Sequence, residues 1–365
     1  MTMDTVIKLE QPEDISDLKP KAPSNEKDLR DHLTDNGGLY DLIVKQMIQQ
    51  GHEGELCSWL KESNLIRSNM NCPTEGCNGK SLQWSPARSI DKYSWVCFDC
   101  KKRQNLRDSS FFLQIKCDLK ICMQLIVAWC QSIPSDVVIN HLNVKPHVVK
   151  RAYEKLGKVT ETYVIKHAKD WVLGGGEKIL IVDEFPGGYM AETVSTPVPK
   201  KRNNNCRTIL CIAECHNLPP RMWMHIINAN PEPPKNAKNQ TTTRCGMVEE
   251  ALNEIRAHAV PGSFLIANKR ARCCNYEALK ELQEYTVLCI EDLQTYDTPG
   301  KNELLANLET IWQTGIGVCE EIQDSTRSNG LSSLYEHLWK QKFATTPSNA
   351  FTHIIHHIAE CHPLT

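Results

Sequence analysis

The sequence predicts an α/β chain: a small cysteine-paired β module and a helical module, then an α/β core domain, with helices at the C-terminal end. Three observations carry that prediction. Two cysteine pairs, Cys72/Cys77 and Cys97/Cys100, bracket strand-like runs. Apolar residues then recur at helical spacing from Leu119 onward. After the glycine run Gly174, Gly175 and Gly176 the periodicity changes, and short apolar runs alternate with helical stretches.

The bulk composition sets limits first. A length of 365 residues suggests two or three domains, and 41% hydrophobic content is ample for packed cores. No apolar run approaches the roughly 18 residues a membrane span needs, so no membrane partner is expected. The opening "MTMDTVIKLEQPEDISD" has acids where a secretory signal needs an apolar run. Seventeen cysteines, an odd count in a long chain, then read as reduced intracellular thiols with some of them on metal. The net charge of −2 divides unevenly: residues 101–170 hold thirteen Lys or Arg against six acids, and residues 1–35 hold nine acids against five bases. A basic middle with acidic flanks fits a nucleic-acid surface confined to one module.

Residues 1–27 are polar, proline-containing and without periodicity, and are expected to be disordered. Residues 28–68 carry two short helical patterns, "LYDLIVKQMIQQ" and "GELCSWLKESNLI", expected to form a small docking unit. Residues 69–112 hold the cysteine pairs around "SLQW" and "YSWV". Two cysteine turns on facing hairpins bring four thiolates to one tetrahedral Zn²⁺, the zinc-ribbon arrangement. Cys72, Cys77, Cys97 and Cys100 are therefore the expected ligands of a structural zinc. A closed site of this kind offers no open coordination position for catalysis.

Residues 113–172 read as an apolar helix, "LKICMQLIVAWCQ", followed by helix, three-residue turn and helix in "SDVVINHLNVKPHVVKRAYEKLGKV". Val137, Val138 and Leu142 would face Val148, Val149, Ala152 and Leu156, with Pro146 in the first turn of the second helix. That leaves His147, Lys150, Arg151 and Lys155 outward, as a helix-turn-helix presents its DNA contacts. Lys101, Lys102 and Arg103, just after the second cysteine pair, join them as expected DNA contacts. Helix-turn-helix spacing alone also fits a plain helical bundle with solvated charges.

Residues 173–325 show strand-like runs at 178–184, 207–215 and 221–229, a helix near 243–258, the strand "SFLIANK", the helix "YEALKELQEY", the strand "TVLCIE" and a helix containing "LLANLETIW". Three adjacent strands and then alternating helix and strand is the order of a ribonuclease-H-like domain. In that architecture the first strand, the fourth strand and a late helix each carry an acid. Together the acids hold two divalent ions about 3.5–4 Å apart for phosphoryl transfer. "EKILIVDEFPGG" delivers Asp183 and Glu184 to such a strand end. Residues 326–365 are expected to be C-terminal helices, with His353, His356 and His357 on the last of them.

From residue 56 to 363 the chain resembles the Merlin-type cut-and-paste transposases, relatives of bacterial insertion-sequence transposases. The likeness rests on "WLKESNLIRSNMNCP", "CFDCKKRQNLRDSSFF", "ILIVDE", "VPGSFLI", "LETIW" and "LYEHLWKQKFATTPSNAFTHIIHHIAECHP" in consistent order and spacing. The resemblance implies binding to DNA ends and Mg²⁺- or Mn²⁺-dependent strand cleavage and joining, and it implies that the terminal helix with His353, His356 and His357 is packing structure. Carried over, Asp183 is the first metal-binding acid and Glu309 the third, while Asn268 stands where the second aspartate belongs. An amide offers one neutral oxygen where a carboxylate offers two and a charge, and hard Mg²⁺ favours the carboxylate. The loss slows chemistry on the order of 10²–10³-fold or more.

The expectation is thus a domesticated, catalytically degenerate relative. It would be a zinc-containing nuclear protein that binds DNA and acts in chromatin or transcriptional regulation, with chromatin proteins as partners and a homo-oligomer left open. Mg²⁺ or Mn²⁺ would matter only if the core domain is active. The alternatives are an active transposase and a protein–protein adaptor without DNA binding. "PVPKKRNNNCR" offers a basic loop for nuclear import or DNA contact, and Cys206, Cys211, Cys215 and His216 read as core residues before a second metal site.

Overall fold

The computed structural model describes residues 38–50, 53–79, 81–176, 178–188, 207–216, 219–228, 246–295, 301–324 and 327–364. The tail expected over residues 1–27 lies outside them, as does the basic loop from 197 to 206, Cys206 included. Among the described residues no helix is long and apolar enough to cross a membrane.

The chain enters through a π-helical turn, Tyr40–Val44, that runs into α1 (Lys45–Gln50), and α2 (Glu53–Glu62) comes next. An antiparallel sheet follows, of β1 (Gln83–Pro86), β2 (Tyr93–Val96) and β3 (Arg103–Gln104), in that order. Trp84 pairs across the ladder with Trp95, and the Lys61 ammonium of α2 sits 3.3 Å from the Trp84 ring centre. That cation–π contact is how α2 meets the sheet.

Arg107 joins this sheet to the helical module. The guanidinium is buried and pairs with buried Asp91, its Nε donating to Oδ2 at 2.8 Å and its Nη2 to Oδ1. It also donates to the carbonyls of Ile115 (2.6 Å) and Cys117 (2.5 Å). Only arginine has enough fixed donors to hold a carboxylate and several carbonyls at once.

Three helices make up that module. α3 (Leu119–Cys130) is capped by Asp118, whose carboxylate accepts from the Ile121 N–H at 2.8 Å. α4 (Ser135–Leu142) ends at Asn143 in the left-handed region (φ 49°), and α5 (Pro146–Lys166) starts on its proline. The expected helix, three-residue turn and helix are therefore present at those positions. Val138 packs against the buried face of α5 formed by Val148, Val149, Ala152 and Leu156, while Val137 and Leu142 are only half-buried.

The core contains β4 (Leu173–Gly174), β5 (Ile179–Phe185), β6 (Ile209–Glu214), β7 (Met222–Ile226), α6 (Gly246–His258), β8 (Ala259–Val260), β9 (Phe264–Ala267), α7 (Tyr276–Leu279), β10 (Thr286–Cys289) and α8 (Ile290–Thr295). Three long helices close the chain: α9 (Lys301–Asp324), α10 (Arg327–Phe343) and α11 (Pro347–Cys361). The five-stranded sheet has the order β10-β9-β5-β6-β7, and β4 pairs with β8 in a separate two-stranded sheet. β5, β6 and β7 are successively antiparallel, whereas β9 runs parallel to β5 and β10 parallel to β9. The molecule is mixed α/β with several sheets. β6 is buried along its whole length and β5 along all but its first residue, as expected of strands covered on both faces.

One element differs from expectation. The helix expected over "YEALKELQEY" stops at Leu279, because the chain turns to bring Tyr285 inward, where its hydroxyl donates to Ala259 O at 2.7 Å. The expected late helix containing "LLANLETIW" is present and runs through Asp324, its apolar face continuing through Ile316, Cys319 and Ile322.

The C-terminal helices cover both halves. α10 packs between α5 and β7, and Trp129 of α3 meets Trp339 of α10 at 5.6 Å. Gln341 of α10 accepts from the Met222 N–H of β7 at 3.0 Å. On α11, His357 is buried, stacks on Tyr163 at 3.5 Å and accepts from Trp339 Nε1 at 2.8 Å. His353 and His357 therefore pack, as expected, against Phe343 and its neighbours, whereas His356 departs from expectation and is exposed on the outer side of α11.

Burial, with His353 nearby, pushes the His357 pKa from 6.5 down to about 4. The folded state holds this imidazole neutral, so the unfolded state binds the extra proton. Its stabilisation is complete above about pH 6.5 and drains away as pH falls through about 4. A thermal-unfolding series should show a falling midpoint across that window, and His357→Gln should flatten the slope.

Candidate metal centre and nucleic-acid interface

The first cysteine pair sits in the loop before β1 and the second in the turn between β2 and β3. Cys72 and Cys100 sulfurs lie 3.6 Å apart, Cys77 and Cys97 likewise 3.6 Å, and all four lie within 4.8 Å of one another. Tetrahedral zinc at a Zn–S distance of about 2.3 Å requires S···S edges of about 3.8 Å. The four thiols fit that cation. The Gly79 N–H donates to Cys77 Sγ at 3.4 Å, and a Cβ at Gly79 would lie 2.5 Å from Cys97 Sγ. Glycine is required there by contact with the sulfurs. The Lys102 backbone N–H, with the neighbouring thiols, draws Cys100 down to about 6, while burial and the neighbouring thiols push Cys77 up to about 12.

Around this centre the expected DNA contacts divide. Lys101, Lys102, His147, Lys150 and Arg151 are exposed. Arg103 is exposed too, but its Nη1 donates to Ser94 Oγ at 2.8 Å. Arg151 donates to Gln114 Oε1 at 2.6 Å, which ties the second turn of α5 to the segment after the cysteine-paired sheet. Lys155 departs from expectation by turning inward. Its ammonium donates to Leu113 O at 2.8 Å and to Phe111 O, and lies 5.4 Å from the Phe111 ring centre. The reason is its position one turn further along α5, where the 111–113 segment crosses and offers carbonyls to the ammonium. Burial lowers its pKa to about 8.

The expected triad is only partly assembled. Asp183 near the end of β5 and Asn268 just after β9 are both buried, and Asn268 Nδ2 donates to Asp183 Oδ1 at 2.7 Å. The Asn268 carbonyl oxygen is turned away, accepting from the Arg270 (2.9 Å) and Ala271 (2.7 Å) backbone N–H groups. Asn268 thus shows Asp183 a donor and keeps its metal-capable oxygen for its own turn. The Gly187-Gly188 turn folds down over both acids of β5. A Cβ at Gly188 would stand 2.0 Å from Asp183 Oδ1, and one at Gly187 would stand 2.1 Å from Glu184 Oε1.

Glu309 is not brought to this pair. It is exposed on α9, two residues from Asn307, whose amide donates to Cys215 O. Asp183 is level with Cys211 instead, and Cys211 shares a thiol hydrogen bond with Cys319 of α9. The ten helical residues from Glu309 to Cys319 span about 15 Å.

Beside Asp183 lies a grouping that no sequence motif singled out. The donor atoms of Glu184, Cys273 and Cys274 lie within 4.8 Å of one another, all buried. The adjacent cysteines were its visible signal. Glu184 already accepts from Cys273 N (2.8 Å) and Arg272 Nε (3.2 Å); the hydrogen bond with Cys273 and burial raise the Cys274 thiol, and burial beside Glu184 raises Cys273. Cys211 and Cys215 are core residues, and His216 accepts from the Ile179 N–H, so they form no second metal set.

Comparison with protein-family models, curated proteins and solved structures returns no match.

This geometry has two measurable consequences. Purified protein should carry one zinc per chain by elemental analysis. Chelation or Cys97→Ser should expose Trp95 and red-shift its fluorescence, since a structural zinc contributes about 10–16 kcal/mol. Zinc affinity should fall toward acid pH as thiolates are protonated. Asn268→Asp should replace a donor with a second buried carboxylate beside Asp183, so that one of the two must hold a proton. Stability should drop by about 1–3 kcal/mol in chemical denaturation.

Proposed function

We propose that this chain is a transposase-derived, zinc-containing DNA-binding protein of the nucleus, acting in chromatin or transcriptional regulation without catalysis. The observation that carries the non-catalytic part is Asn268, which donates to Asp183 and turns its oxygen to two backbone N–H groups. A two-metal phosphoryl-transfer site needs anionic oxygens converging on the ions. Glu309, exposed and a long way along α9, adds none.

The sheet order β10-β9-β5-β6-β7, with three antiparallel strands flanked by two parallel ones, supports a ribonuclease-H-like core. The four-cysteine cluster on a three-stranded sheet supports a zinc ribbon. The motif order resembling Merlin-type transposases links the two. DNA binding rests on the exposed cations of the second cysteine turn and of α5, with α4, the turn and α5 in helix-turn-helix order. Chromatin or transcription proteins are then the partners to seek. The buried acid Asp183 at a strand end favours the alternative, an active transposase using Mg²⁺ or Mn²⁺.

One experiment separates these readings. Zinc-loaded protein and its Asp183→Ala variant are incubated with Mn²⁺ and either supercoiled plasmid or mixed genomic fragments, with binding measured across a salt series. The expected result is equal, negligible nicking by both and duplex binding that weakens steeply with salt. Nicking lost in Asp183→Ala means an active enzyme. Neither nicking nor binding means an adaptor.

A further inference from the structure

Between the β1–β2 hairpin and the segment 104–116 runs a surface cleft of about 1350 Å³. Its size exceeds the roughly 300–1,000 Å³ of small-molecule pockets, which suits a polymer. Four of its lining residues are cationic, and its one lining acid, Asp91, is buried and neutralised by Arg107. Arg88 comes from the hairpin and Lys116 from the opposite segment, both exposed and without a hydrogen bond or ion pair among the described residues. Asn105 and Gln104 add amide donors along the walls. Lysine, arginine, amides and hydroxyls are the groups that contact phosphate oxygens.

The cleft is continuous with α5, because Gln114, one of its lining residues, is the side chain that holds Arg151. A strand lying in the cleft therefore passes directly to the exposed start of α5. Single-stranded nucleic acid would call for aromatic stacking platforms. The lining offers only Tyr93, which is already packed on Trp84 at 4.6 Å. Lysine and arginine without free aromatic faces suit a duplex backbone.

We propose that this cleft receives the sugar-phosphate backbone of duplex DNA, clamped between Arg88 and Lys116, while α5 meets the adjacent groove. The proposal rests on the DNA-binding reading above and adds to it a second contact surface, with residues that no motif marked.

The test is fluorescence anisotropy of the full zinc-loaded chain with a random-sequence duplex over a salt series. Each phosphate contact contributes about 0.9 to the slope of log affinity against log salt. The Arg88→Ala/Lys116→Ala double variant should therefore lose about 1.8 from the slope and bind on the order of 50-fold more weakly at 0.1 M salt. Lys269→Ala/Lys280→Ala, which removes two exposed charges from the core domain, should leave the slope unchanged. Zinc content and circular dichroism of each variant verify folding. A wild-type slope in the cleft variant, alongside a reduced one in His147→Ala/Lys150→Ala, overturns the cleft and leaves DNA binding by α5 standing. Tighter binding of a single strand than of the duplex overturns the duplex assignment. Absence of binding by the wild type removes both readings together.

Discussion

The buried Arg107–Asp91 pair is the constraint on which the N-terminal half of the molecule depends. Asp91 belongs to the hairpin of the cysteine-paired sheet, and the carbonyls that Arg107 also holds belong to the segment leading into α3. One guanidinium therefore fixes how the sheet sits against the helices. A buried pair of this kind gives little net stability compared with an apolar replacement, yet losing either partner leaves a stranded charge at a cost of about 3–5 kcal/mol. Its value is geometric: it forms the floor of the cleft and holds both walls. The cysteine centre orders the sheet from the other end, so the hairpin is held at its base by thiols and at its loop by an ion pair.

The core domain solves a different electrostatic problem. Asp183 and Glu184 are adjacent acids on a buried strand end, and each is met by its own set of donors. Asp183 receives the Asn268 amide, while Glu184 receives Arg272 and a backbone N–H. The surrounding thiols of Cys211, Cys273 and Cys274 are all raised, so they stay uncharged. A site that gathers two hydrated cations needs the reverse, with several anions left under-compensated until metal arrives. Here hydrogen bonds within the protein already compensate both carboxylates.

Much of this is legible in the sequence, and the remainder is hidden for a physical reason. Cysteine spacing locates the four thiols because a metal knuckle is a local structure, set by a few residues of turn. The α4–turn–α5 boundaries are equally local, marked by Pro146 and by apolar spacing. Lys155 reads as outward from sequence because helical periodicity shows which face is polar but not which polar residue meets a crossing carbonyl. The same limit hides Arg107 and Asp91, sixteen positions apart, and the neighbours of Glu184, nearly ninety positions away. Asn268 itself is visible in the sequence, but the orientation of its amide is a tertiary property. Glu309 matches a motif, yet a helix that continues to Asp324 places it beside the wrong end of β5.

The covering of α5 by the end of the chain has a consequence for synthesis. Lys166 on α5 meets Glu360 on α11, 194 residues later, and Cys361 meets Val159 across 202. At ribosomal rates of about 5–20 residues per second, α5 waits roughly 10–40 s for its covering helices. During that interval α3 and α4 already cover one side of the helix, while the flank that faces α10 and α11 has no mate. A message truncated before α10 would yield a protein that keeps all four clustered cysteines and still leaves that flank of α5 bare.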